Sequence, residues 1–156
     1  MTTFEPRTFS LAKFRGPGAP EPSSTDPQTH GDIWKVWRIE RTPEIDVLYG
    51  TMTPGTRTGA HIHPDTMHYT CILEGTALVW IEGHMVELHA GDTLNIPRDT
   101  LHNFGASKGD PLWWVDITTP AWDPDKLIFQ PEREPEIAAA FARAWVHRHG
   151  APQSDS

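Results

Sequence analysis

The chain has 156 residues, a length that fits one domain able to bury a core without disulfide or metal staples. Its formal net charge is -8 at pH 7 and no basic stripe offsets it, so nucleic acid and anionic membranes are poor partners. The single cysteine, Cys71, excludes an internal disulfide framework. We expect a cytoplasmic protein, since the sequence has neither an apolar signal segment near Met1 nor a membrane-length apolar run.

The N-terminal segment, residues 1–31, is rich in proline, glycine and serine. Each proline removes a backbone donor, and this segment has five, of which Pro17, Pro20, Pro22 and Pro27 fall within eleven residues. The composition therefore predicts an irregular N-terminal arm.

Residues 32–130 contain many short segments with alternating or β-rich character, separated by glycine or proline. Such spacing predicts an all-β protein, an antiparallel sandwich or barrel. A turn at Glu74–Gly75 would pair the segments on either side of it as a hairpin and place His68, Thr70 and Ile72 on one face. The predicted strands are 34–40, 46–53, 67–73, 76–82, 84–88, 93–96 and 112–118.

Residues 131–156 differ, and their pattern predicts a C-terminal helix and tail. Pro135 suits a first helical turn, whereas Gly150 and Pro152 are typical of a helix end. One face of this helix is apolar, so we expect it to lie against the barrel. The residues of that face are Ile137, Phe141, Ala144 and Trp145.

Four histidines carry the strongest functional signal. His61 and His63 are two residues apart, so on a strand both side chains point to the same face. His68 lies on the following segment and His102 on a later one, and a barrel can bring all four together. Because neutral imidazole is the commonest protein ligand for transition metals, the pattern predicts a site for one divalent metal ion.

At these residues the sequence resembles the cupin superfamily. The first cupin motif runs from Gly55 through His61-Ile62-His63 and a ligand position at 68 to Gly75. The second motif runs from Gly91 through Pro97 to His102. The resemblance implies a jelly-roll barrel, the double-stranded β-helix, with one metal held by His61, His63, His68 and His102. Single barrels of this superfamily tend to pair through exposed sheet edges, which implies a homodimer.

Three positions depart from the cupin pattern: His68 stands where glutamate is usual, Asp99 where glycine is usual, and Ala106 where asparagine is usual. With His68 as a ligand all four donors are neutral, so the site would keep the full charge of the ion and attract anionic substrates. On an octahedral ion, four ligands leave two positions open for a bidentate substrate, or for substrate and dioxygen. Imidazole does not select the ion. Iron is favoured, with zinc, manganese, nickel or copper as alternatives.

A substrate pocket is expected around the metal. Arg57 and Arg98 are candidates to orient a substrate anion, although solvated arginine is the commoner outcome. Asp99 either orients a histidine or simply occupies a turn. No catalytic residue beyond the metal centre is predicted. The predicted substrate-binding residues are Thr70, Ile72, Phe104 and Trp113, with Trp114 as the alternative because the parity of that strand is not fixed.

Three functions remain open at this point. The resemblance favours a non-haem dioxygenase with a four-histidine site, acting on a small enolisable or phenolic substrate. The second is redox-neutral catalysis, in which a zinc-type ion acts as a Lewis acid in a cyclase, isomerase or lyase, as in histidine-rich cupins of polyketide cyclisation. The third is a non-catalytic ligand-binding barrel.

Overall fold

The computed structural model describes residues 8–26 and 32–149. Within these ranges, eleven short strands form two antiparallel sheets that face each other as a jelly roll, followed by one helix. The predicted all-β architecture with a C-terminal helix is thereby confirmed. The elements are β1 (Ser24–Thr25), β2 (Trp34–Arg41), β3 (Asp46–Met52), β4 (His61–Ile62), β5 (Met67–Glu74), β6 (Thr76–Ile81), β7 (His84–His89), β8 (Thr93–Ile96), β9 (His102–Ala106), β10 (Leu112–Thr119), β11 (Ile128–Phe129) and α1 (Glu134–His149).

Some strands that follow each other in the chain lie in different sheets. One sheet has the order β1-β2-β3-β10-β5-β8 and the other β11-β4-β9-β6-β7. The predicted hairpin between β5 and β6 is therefore wrong, because β5 pairs with β10 and β8 whereas β6 pairs with β7 and β9. Gly75, with φ 79°, makes the step between sheets, and a Cβ there would lie 2.6 Å from the Pro111 carbonyl oxygen.

The main core lies between the two sheets. Strand β5 shows how the sequence builds it: His68, Thr70 and Ile72 are buried, whereas Tyr69 between them is exposed. The predicted shared face of these three residues is thus present without the hairpin that was expected to create it. Ile72 packs there in an apolar cluster with Ala77, Val79 and Phe104 of the opposing sheet.

Helix α1 packs against the outer face of the five-stranded sheet. Ile137 and Phe141 are fully buried there, in a second apolar cluster with Leu78 and Trp80 of β6. Gly105 permits this contact, since a Cβ at that position would lie 2.4 Å from the Phe141 ring. The predicted apolar face of the helix is confirmed, whereas the predicted end signals at 150 and 152 lie outside the described residues. Neither α1 nor any other helix in the described ranges is long and apolar enough to cross a membrane.

The described part of the predicted irregular arm is more ordered than its proline content suggests. Residues Ser24–Thr25 pair with β2 as a two-residue edge strand. Further upstream, Phe14 is buried against Trp37 on the outer face of the six-stranded sheet. The arm thus covers one face of the sandwich and reaches the edge where the site lies.

Candidate metal centre

Three histidines converge at one end of the sandwich. His61 on β4 and His102 on β9 are directly opposite each other across the sheet, and His63 follows just after β4. One ligand atom from each can be chosen so that all three lie within 4.8 Å of one another. All three side chains are buried, and the ring centroids of His61 and His102 are 4.3 Å apart. The three rings therefore form a compact set of nitrogen donors that could hold one ion.

Backbone carbonyls fix the orientation of two of these rings. Nδ1 of His61 lies 2.6 Å from the Gly59 oxygen, and Nδ1 of His102 lies 2.9 Å from the Thr100 oxygen. A carbonyl oxygen can only accept, so each Nδ1 carries the proton and each Nε2 keeps its lone pair. This is the usual way in which a protein prepares a histidine to bind a metal through Nε2.

Burial keeps these imidazoles neutral. Desolvation lowers the pKa of His61 to about 4, against the opposing effects of the Gly59 hydrogen bond and the Glu134 charge. The pKa values of His63 and His102 are also lowered, first by burial and then by the neighbouring histidines. At neutral pH these three rings are therefore available as neutral ligands.

His68 approaches the same point from the other sheet. Its ring centroid lies 4.1 Å from that of His63 and 6.2 Å from that of His102, so it borders the three-histidine group without joining it. Its Nε2 is buried and has no hydrogen-bond partner. A buried, unsatisfied ring nitrogen is costly unless a ligand satisfies it, and this favours His68 as a fourth donor to an ion.

The Asp99 departure from the cupin pattern has a local explanation. Asp99 has φ 57°, a left-handed conformation that favours glycine and that aspartate tolerates better than most residues. Its N–H donates to the His63 carbonyl oxygen at 2.9 Å, which ties the turn before β9 to the first motif. The turn interpretation of Asp99 fits the structure, while the Gly59 and Thr100 carbonyls orient the histidines.

A cavity of about 100 Å³ opens beside the histidines. Thr70 and Phe104 line it, as predicted for the substrate pocket. Many of its other walls come from outside the strands that carry the histidines. Asp26, Trp34 and Val36 precede β3, whereas Trp122, Leu127 and Phe129 follow β10.

Two predicted pocket residues lie elsewhere. Ile72 is 1 % exposed and packs in the core without reaching the cavity wall. Trp113 points to the outer face of its sheet and stacks on Trp37 at 5.9 Å, so its assignment to the pocket is wrong. Trp114 takes that place on the inward face. Gly50 makes room for it, since a Cβ there would lie 2.3 Å from the Trp114 ring.

Sequence reasoning missed the carboxylate of Asp116, which lines the cavity beside His68. Its Oδ2 lies 3.6 Å from His68 Nδ1, and it accepts hydrogen bonds from the Thr70 hydroxyl and the Trp114 indole. The only signal available was its position two residues after Trp114, on the same strand face. Together with Asp26, it places two carboxyl groups in the cavity, beside a site whose expected ligands are all neutral.

The two candidate arginines do not reach the cavity. Arg57 forms an ion pair with Glu134 at 2.8 Å, and Arg98 is exposed in the turn before β9. Across the described ranges, no lysine or arginine lines the cavity. An anionic group of a substrate would therefore meet positive charge only at a bound metal.

The comparisons with known proteins agree with this fold. A family model for the cupin domain matches residues 48–118, which include all four histidines. The matched region, just under half of the chain, is therefore similar in sequence to the cupin domain.

Several solved structures resemble this chain at under 25% identity, so their likeness concerns the fold alone. A protein with a double-stranded β-helix domain from Klebsiella pneumoniae is 24% identical, with a TM-score of 0.56 over 74% of this chain and 91% of that one. KdgF from Halomonas sp. is 22% identical, with a TM-score of 0.54 over 59% and 82%. An RmlC-like cupin from Shewanella frigidimarina is 20% identical, with a TM-score of 0.55 over 60% and 81%. The search of curated proteins finds no match.

Proposed function

We propose that this cupin is a metal-dependent oxygenase of the mononuclear non-haem type, acting on a small enolisable or phenolic substrate. One observation carries the proposal: three buried histidines, His61, His63 and His102, meet at an apolar cavity with ring nitrogens suited to a first-row divalent ion. Iron is the favoured ion, because oxygenase chemistry requires a redox-active metal.

The donor set fits such an ion. Imidazole accepts iron, copper, manganese, nickel and zinc alike, and three or four nitrogen donors leave open positions on an octahedral centre. An ion held there would polarise substrate oxygen atoms and, if redox-active, would activate dioxygen. The chain itself supplies orientation, since the Gly59 and Thr100 carbonyls hold the His61 and His102 rings with Nε2 free to bind.

The cavity walls support the proposed substrate class. Phe104 and Trp114 pack at 5.1 Å between centroids along one wall, and Trp34 and Trp122 meet edge to face along another. Such walls suit a flat apolar body and exclude water from it. Because no lysine or arginine in the described ranges lines the cavity, a bound ion would supply the positive charge that an enolate or phenolate oxygen needs there.

Metal analysis combined with oxygen uptake tests the proposal. Protein purified without added metal or chelator is analysed for metal, then mixed with β-diketones, catechols and related chelating phenols in an oxygen electrode. His63→Ala removes one donor of the cluster. His84→Ala is the matched control, because His84 is exposed on β7.

Iron, copper or manganese with substrate-dependent oxygen uptake, lost in H63A and kept in H84A, supports the proposal. Zinc with product formation and no oxygen uptake overturns it in favour of redox-neutral Lewis-acid catalysis. Tight ligand binding without turnover across the panel overturns it in favour of a binding protein.

A further inference from the structure

We propose that Asp116 is a positioning residue that holds His68 as the fourth imidazole of the site. The inference rests on the metal site of the proposed function and goes beyond it by assigning a role to a carboxylate that belongs to neither cupin motif.

The geometry of two adjacent strands places the pair. Asp116 on β10 is directly opposite Thr70 on β5, and Thr118 is opposite His68, so Asp116 and His68 are diagonal neighbours. Both side chains point to the inner face and line the cavity. Asp116 Oδ2 lies 3.6 Å from His68 Nδ1.

The carboxylate is itself held in place. The Thr70 hydroxyl donates a short hydrogen bond to Oδ1, and the Trp114 indole N–H donates to Oδ2 at 3.3 Å. With these two donors and the His68 ring around it, the carboxylate is a fixed acceptor. This occupancy favours a role exerted through His68 over direct contact with substrate.

The position of Asp116 determines which ring nitrogen of His68 is available to bind an ion. An ionised carboxylate can only accept, so it favours the tautomer with the proton on Nδ1 and leaves the lone pair on Nε2. Nε2 of His68 is the atom that is buried without a partner. His61 and His102 reach the same state through backbone carbonyls, which no substitution of a side chain removes. His68 differs, because the group 3.6 Å from its Nδ1 is the carboxylate of a side chain.

A double-mutant cycle tests the inference. The affinity for Co²⁺ is measured by competition with a chromogenic chelator in the wild type, D116A, H68A and the double variant. We expect D116A to weaken binding by about 10- to 100-fold when His68 is present, as is common for loss of a partner behind a ligand. In the H68A background the same change should weaken binding by less than about 3-fold, because the effect passes through His68.

A spectroscopic readout and a conservative variant separate positioning from general damage. The Cu²⁺ electron paramagnetic resonance spectrum should lose one coupled nitrogen in D116A and in H68A. D116N should keep affinity and spectrum near those of the wild type, because its amide oxygen can still accept from His68 while the Thr70 hydroxyl turns to accept the amide N–H. If D116A does not fold, Asp116→Leu, which keeps the branched shape without an acceptor, takes its place in the cycle.

An equal loss of affinity in both backgrounds, or an unchanged affinity and nitrogen count in D116A, would overturn the role of Asp116 and leave the metal site standing. A wild-type protein that binds neither Co²⁺ nor Cu²⁺ would overturn the proposed function, and this inference with it.

Discussion

Acidification of the metal-free protein should destabilise it strongly through the buried histidines. His61 has a pKa of about 4 in the folded protein and 6.5 as its ordinary value. Below pH 6.5 the unfolded chain binds a proton at this residue and the folded chain does not, so the free energy of unfolding decreases as the pH is lowered. The loss grows until the pH reaches about 4, where the folded state also takes up the proton.

The size of the effect follows from the shift. A displacement of about 2.5 units at about 1.36 kcal/mol per unit gives roughly 3 kcal/mol from His61 alone. The lowered pKa values of His63 and His102 act in the same direction. Since domains are stable by only about 5–15 kcal/mol, these three residues can unfold the metal-free protein in mild acid.

Urea unfolding, followed by tryptophan fluorescence with chelator present, measures the free energy of unfolding between pH 7.5 and 4.5. Over that range, which stops short of the folded-state pKa, the H61Q variant should lose about 2.5 kcal/mol less than the wild type. H84A, in which an exposed histidine is changed, should follow the wild type. A wild-type free energy that stays constant across the range, or an H61Q variant with an identical pH dependence, would refute the reasoning.

Three other predictions concern the core, the cavity wall and the ligand set. Phe141→Ala should lower the free energy of unfolding by about 3–5 kcal/mol in urea titrations, because the ring is fully buried between α1 and the sheet, and a loss below 1 kcal/mol would contradict that packing. Gly50→Ala should lower the free energy of unfolding by about 1–3 kcal/mol, since the new methyl group displaces the Trp114 ring. It should also weaken the binding of the diketone or catechol that the wild type binds, measured by calorimetry, and unchanged binding would show that this ring is not part of the functional wall. His63→Ala should strip most of the metal found by elemental analysis whereas His68→Glu retains it, and metal retained by H63A would remove that residue from the ligand set.

The strands were predictable from sequence because alternation and turn residues are local signals. Strand β8 lies at the predicted residues, and each of the six other strands whose bounds were predicted differs by one residue at one end. For β9, which carries His102, no bounds were predicted. Strand pairing was less predictable, since the partner of β5 is β10, about 40 residues later in the chain. The β5–β6 hairpin failed for this reason: adjacency in sequence does not decide which sheet a strand joins.

In the candidate site, too, local sequence signals were predictable and contacts between distant strands were not. The histidine spacing of the two motifs predicted the cluster of His61, His63 and His102. Asp116 escaped notice because nothing near it in sequence marks a carboxylate that lies beside a histidine on another strand. The choice between Trp113 and Trp114 also required the structure, because the register of β10 against β5 shifts between these two residues.

The metal ligands and much of the cavity wall come from different segments of the chain, so each can change without the other. The metal-binding histidines lie inside the matched domain at 48–118, whereas Trp34 and Val36 on one side and Trp122 and Leu127 on the other come from the flanking segments. Substitutions in those flanks can reshape what fits beside the ion without disturbing its ligands. An engineer who wished to alter selectivity would therefore diversify the two ends of the chain and leave its middle intact.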